Sequence, residues 1–246
     1  MNSLLPLLHG KGQVHSLKIQ GKAIEGVALI AAAVGSNVFS QHCSDVMGLL
    51  LQLETAGLPA DDPRLSLLQR SWGRLSKALG RDFAPYLAPI LPRLLKSAAL
   101  EADIKLLTDD QVEDQEWQLI QLDKQNTLGI NTSVIQEKNE AMTLLYWLAY
   151  EIKELFFPYI QQILPICLDA LGFFYNDSVR MSAGSIIPCL LRSTFSHTEN
   201  YGEVQNLFRY IFPHLIGAIE NELEPDVLLV LLDSLQEAST IKLFVS

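Results

Sequence analysis

His42 and Cys43 stand side by side, with Asp45 two positions on. These are the residue types of a base, a nucleophile and an orienting acid. On a helix, neighbours one apart project in different directions, so the trio cannot assemble a nucleophile–base pair alone. Cys43 reads instead as a packing residue on an amphipathic helix, with His42 at the surface. Cys167 and Cys189 lie in apolar runs and read the same way. His9, His15, His197 and His214 form no His-x-x-x-His pair, and no Cys-x-x-Cys occurs, so zinc has no support. Gly10-Lys11-Gly12 and Gly21-Lys22 lack the glycine spacing and the following Ser or Thr of a phosphate loop. The sequence predicts no catalytic, cofactor-binding or metal-binding residue, and no enzyme.

Binding chemistry is better supported. Glu140, Trp147, Glu151 and Glu154 recur at spacings of 7, 4 and 3, one stripe of a helix beside its apolar stripe. An aromatic plate flanked by carboxylates suits a lysine or arginine side chain, its stem on the ring and its head among the acids. The last helical run adds Asp226, Asp233 and Glu237 on a comparable face. The alternative is that Trp147 packs on a neighbouring helix and the glutamates only solvate the surface. Charge points the same way: 28 acidic residues face 18 basic ones, a formal net charge of −10. Such a field attracts cationic partners and disfavours direct nucleic-acid binding, which needs clustered Lys and Arg.

The elements that must carry these residues are helical. With 49% hydrophobic and 19% charged residues, the 246-residue chain is not a disordered one. Leu65, Leu68, Trp72, Leu75 and Leu79 follow a 3-4-3-4 spacing, started by Asp61, Asp62 and Pro63 and stopped by Gly80. Ala141, Leu145, Leu148, Ile152 and Leu155 form a second run, and Val179, Ala183, Ile186 and Leu190 a third, after Asn176 and Asp177. A fourth spans 19–34 and ends at Gly35. It is apolar nearly all round, as for a helix covered on several sides. Three cysteines fit a reducing compartment. The longest apolar stretch, 27–34, is far short of the ~20 residues that cross a bilayer, and no leader pattern occurs. These features predict a soluble intracellular chain without membrane insertion.

Three apolar helical runs contain an internal proline, Pro92, Pro165 and Pro213, each followed by a turn and a capped helix; Asp177-Ser178-Val179-Arg180 is the clearest cap. Without an insertion at about 101–133, the unit is roughly 40–47 residues, the length of HEAT-type helix pairs. Such pairs bury their apolar stripes only by stacking on neighbours. The expected fold is all-α, a solenoid of about five to six HEAT helix pairs spanning 1–246 as a single segment. Between Glu101 and Asp123 the insertion carries Glu101, Asp103, Asp109, Asp110, Glu113, Asp114, Glu116 and Asp123 against one base, Lys105. Its acids read as a long loop, with 117–122 pinned to the helices.

Together these residues resemble the middle of the karyopherin-β nuclear transport receptors, most closely the importin beta-three branch. The similarity runs through Gly21-Lys22-Ala23-Ile24-Glu25, Ser44-Asp45-Val46-Met47, Asp61-Asp62-Pro63, Trp72 with Leu79-Gly80, and Trp117 with Gly129-Ile130. It continues through Glu137-Lys138, Glu151-Ile152-Lys153-Glu154 and the 177–180 turn. The resemblance implies a right-handed HEAT superhelix that shuttles between cytoplasm and nucleus. It further implies basic cargo bearing nuclear localisation signals, regulation by the GTPase Ran, and contact with nucleoporins. In such a receptor Glu140, Trp147, Glu151, Glu154, Asp233 and Glu237 would face cargo, and the acidic insertion a basic surface of cargo or GTPase. The rival reading is a HEAT scaffold that organises a multi-protein assembly outside transport.

Overall fold

The computed structural model describes residues 4–8, 17–59, 62–107, 117–121 and 127–243. Nine α-helices occur among them: α1 (Leu5–Leu8), α2 (Leu17–Thr55), α3 (Arg64–Leu79), α4 (Leu87–Ala98), α5 (Thr132–Ile152), α6 (Ile160–Ala170), α7 (Asp177–Thr198), α8 (Tyr201–Asn221) and α9 (Pro225–Leu243). Gly35, at φ 73° and ψ 172°, divides α2 into two limbs, 17–34 and 36–55, where the sequence places a helix end. Short 3-10 segments, Gly80–Tyr86 and Lys153–Tyr159, lead into α4 and α6.

The helices pair in sequence order, α4 with α5, α6 with α7 and α8 with α9. The second limb of α2 pairs with α3, joined by a hydrogen bond from Trp72 to Glu54. The second helices form a row in which the first limb of α2 meets α3, α3 meets α5, α5 meets α7 and α7 meets α9. The row is close: a Cβ built on Gly184 of α7 would lie 2.8 Å from Leu231 Cδ2 of α9, so any side chain there would have to displace Leu231. Ala141, Leu145, Leu148 and Ile152 are fully buried, as are Val179, Ala183, Ile186 and Leu190. Pro92, Pro165 and Pro213 stand inside α4, α6 and α8.

A left-handed residue closes each of the first four second helices. Gly35 has φ 73°, Gly80 φ 54°, Lys153 φ 57° and Glu199 φ 50°. Gly80 and Lys153 are nearly superimposable, with ψ −126° and −125°. The 3-10 segments after them repeat as well: Phe83 and Phe156 are buried, and their rings meet Tyr86 and Tyr159 at 6.1 and 6.3 Å. A side chain at Lys153 is strained there, as non-glycine residues avoid this region. Lys153→Gly is therefore expected to stabilise the chain by about 1 kcal/mol, a rise of about 2–4 °C in Tm. A lower melting temperature would show that lysine contacts outweigh the strain.

The break at Lys153 corrects one expectation. The apolar run was predicted to continue to Leu155, but Leu155 lies beyond the helix end and is 43% exposed. A second correction concerns α2. Its first limb buries Ile24, Val27, Ala28 and Ala31 but leaves Leu29 and Val34 exposed, so among the described residues it is not covered all round. An 18-residue window of α2 has a mean hydropathy of 1.5, so by length and composition this helix is apolar enough to cross a membrane. Reading only uninterrupted apolar residues missed this, because Gly, Ser and Gln punctuate the run. In the fold Gly35 breaks it, and α3 packs along it.

The insertion is not simply a loop. Ile104–Leu107 (β1), Trp117–Gln121 (β2) and Thr127–Asn131 (β3) form an antiparallel sheet in the order β1-β3-β2. Ile104 pairs with Ile130 and Trp117 with Asn131. Asn131 then caps α5, its side chain accepting from the amides of Ser133 and Val134. Strands of four and five residues carry too little alternation to stand out from a helical sequence. Asp109, Asp110, Glu113, Asp114 and Glu116 lie outside the described residues.

Candidate functional site

Two grooves of opposite character flank α5. The first lies between α3 and α5 and has a volume of about 400 Å³. Glu140 and Trp147 line it from α5; Gln69, Arg70, Arg74 and Lys77 line it from α3. Lys77 Nζ sits 3.6 Å from the centroid of the Trp147 ring. The aromatic plate is present, as the spacing predicts, but a lysine of this chain already occupies it. Glu140 accepts a hydrogen bond from Gln136 at 3.3 Å. Three bases against one acid make this groove cationic, contrary to its predicted role.

The second groove, about 500 Å³, runs from the end of α5 to α7 and α9. Tyr150, Glu151, Lys153, Glu154, Arg192 and Glu237 line it, three acids against two bases. Glu154 does not share the α5 stripe, because Lys153 ends the helix before it; it pairs with Arg81. Glu237 pairs with Arg192. Asp233 is exposed one turn earlier on α9 and lines the adjoining depression with Glu237. Asp226 is exposed in the first turn of α9.

Glu151 differs from its neighbours in having no cation within ion-pair distance among the described residues. Burial pushes its carboxyl above the usual range, and the fields of Lys77 and Lys153 only partly oppose this. A carboxylate held in this way gains when a cation arrives. Tyr146, Trp147 and Tyr150 cluster beside it, with centroids 5.0 to 6.3 Å apart. Tyr150 was missed in the sequence although it lies three residues from Trp147. Lys77, Arg81 and Arg192 come from other helices, and no local spacing reveals them.

The reactive residue types are placed as packing groups. Cys43 is half-buried, 3.8 Å from the Tyr86 hydroxyl, and burial raises its thiol. Burial pushes Cys167 up to about 12 and also raises Cys189, so neither is thiolate near neutrality. His197 stacks on Phe157 at 4.3 Å. Among the described residues no cluster of His, Cys, Asp and Glu could hold a metal ion.

Helix pairs stacked in this order define a HEAT-type α-solenoid. No family model matches the chain. It is 30% identical over 246 residues to importin subunit beta-3 of Saccharomyces cerevisiae, covering 95% of this chain and 22% of that protein. It is 27% identical to a probable importin-5 homolog of Dictyostelium discoideum, covering 96% of this chain and 22% of the relative. The crystal structure of Kap121p matches at a TM-score of 0.81 and 29% identity, over 98% of this chain and 23% of that one. Kap121p has also been crystallised bound to Pho4p, to Ste12p and to Nup53p. The chain thus spans less than a quarter of the length of the proteins it matches. The proteins it matches are importin-β-family karyopherins, and the similarity falls on one segment of each.

Proposed function

We propose that the chain is one continuous HEAT segment of a nuclear import receptor, spanning 1–246, and that it binds a basic cargo segment without catalysis. The observation that carries this reading is the second groove, where an exposed tyrosine and three glutamates converge from α5, α9 and the 3-10 segment between α5 and α6. Glu151 is the anchor, since Glu154 and Glu237 already hold arginines. Tyr150, 49% exposed, offers its ring to the stem of an incoming lysine or arginine. Asp233 extends the acidic surface along α9. Kap121p bound to Pho4p supports a cargo role for this fold, and Kap121p bound to Nup53p supports nucleoporin contact. Shuttling between cytoplasm and nucleus, and control by Ran, belong to the same proposal.

Fluorescence anisotropy with a lysine- and arginine-rich peptide at low ionic strength tests the site. Glu151→Gln combined with Glu237→Gln is expected to weaken binding about tenfold, an effect of ~1.4 kcal/mol that added salt reduces. Because Glu151 takes up a proton at higher pH than an ordinary glutamate, wild-type affinity should fall on acidification before most carboxylates titrate. Unchanged affinity in the double variant removes this groove as the cargo site.

A further inference from the structure

The groove between α3 and α5 does not fit a basic ligand. Its α3 wall presents Arg70, Arg74 and Lys77 in successive turns, at spacings of four and three that put them on one face. Arg74 makes a 3.5 Å contact with Glu25. Arg70 is exposed and bonds only the Ser66 carbonyl, at 3.3 Å, and Lys77 is exposed over Trp147. Among the described residues neither has a carboxylate within ion-pair distance. These two cations are therefore available to a ligand.

The floor supplies a second, independent observation. Gln69 is only 6% exposed, and its Nε2 is buried without a hydrogen-bond partner; Asn139 Oδ1, across the groove on α5, is likewise buried and unpartnered. Buried polar groups are ordinarily paired, and an orphaned donor or acceptor is a destabilising feature that a bound group can relieve. An amide donor beside an amide acceptor matches the C=O and N–H of an extended peptide backbone. The Trp147 ring and Leu144 give the same groove an apolar wall, and its volume is within the range of ligand pockets.

We propose that this groove docks an extended acidic peptide segment of a partner protein. Its carboxylates pair with Arg70 and Lys77, and its backbone meets Gln69 and Asn139. Charge complementarity selects this occupant: the lining is cationic on a chain whose net charge is −10. The site is separate from the acidic groove proposed for cargo, with α5 contributing to both.

The test is anisotropy of a fluorescein-labelled Asp/Glu-rich peptide with one central leucine, titrated with the 246-residue chain at low ionic strength. Saturable binding is expected, falling as salt rises and uncompeted by a basic peptide. Arg70→Glu with Lys77→Glu should reduce affinity by more than tenfold without weakening basic-peptide binding. Both positions are exposed, so the melting temperature should hold. If it does not, the single variants Arg70→Gln and Lys77→Gln replace the pair, each expected to lose several-fold. Gln69→Leu should weaken binding without changing its salt dependence, because it removes a backbone contact and no charge. Failure of the wild-type chain to bind, or equal affinity in the charge-reversed variant, overturns the proposal.

Discussion

Glu222→Ala is expected to cost the fold about 3–5 kcal/mol, because it strips the partner from a buried charge. The Arg180 and Glu222 side chains are each 3% exposed. Arg180 donates from Nε to Glu222 Oε2 at 2.7 Å and from Nη2 to Oε1 at 3.1 Å. Its Nη1 donates to the Phe173 carbonyl at 3.1 Å. Glu222 also accepts the amides of Leu223 and Glu224, at 3.1 and 3.0 Å. One carboxylate thus ties the start of α7, the turn before it and the turn from α8 to α9. Asp177, the other acid on Arg180, is more than half exposed and cannot replace it. Burial alone would raise the Glu222 carboxyl, but the bonds from Arg180 and the two amides bring it below its ordinary value. A depressed carboxylate stabilises the fold fully above its unfolded value, near 4.5, and the contribution is lost as pH falls through the lower folded value. Denaturant midpoints at pH 7 and across the acid range check both points. Glu222→Gln should flatten the acid slope, and a loss below about 1 kcal/mol at pH 7 for Glu222→Ala would refute the clamp.

How much of this was legible follows from which interactions are local. Helix faces were readable because 3-4 spacing alone decides which side chains share a side; Trp72, Leu75, Leu145 and Leu148 are all buried as that rule requires. Gly35 and Gly80 announced their breaks by residue type. Lys153 occupies the same backbone conformation without announcing it, and that one residue misplaced both Leu155 and Glu154. The signal was present at long range: Phe83, Pro85, Tyr86 and Pro92 recur 73 positions on as Phe156, Pro158, Tyr159 and Pro165. Had the whole segment been aligned to itself, the helix end after Ile152 would have followed from Gly80. The Lys77–Trp147 contact has no such trace, since it joins helices whose register depends on packing. It also reverses the functional reading of Trp147, from a vacant plate to a wall of the cationic groove.

The second large effect lies at Trp72, where α2, α3, α4 and the first 3-10 segment meet. The indole is fully buried and meets the Phe83 ring edge-on at 6.0 Å. Its Nε1 donates to Glu54 Oε2 at 2.9 Å, and Arg93 Nη2 donates to the same oxygen at 2.9 Å. Trp72→Ala should cost about 3–5 kcal/mol, chiefly through the cavity that the surrounding helices cannot close. Trp72→Phe keeps most of the apolar volume and removes only the N–H, and Glu54 retains Arg93. Its cost should be nearer 1 kcal/mol, the net worth of one hydrogen bond. The internal repeat supplies an intermediate case: 73 residues on, the equivalent position is Leu145, also fully buried. Trp72→Leu should therefore fall between the other two, since its shape is one this packing arrangement already accepts. Denaturant unfolding of the three variants orders them. If Trp72→Phe proved as costly as Trp72→Ala, the bond to Glu54 rather than the filled volume would hold this junction together.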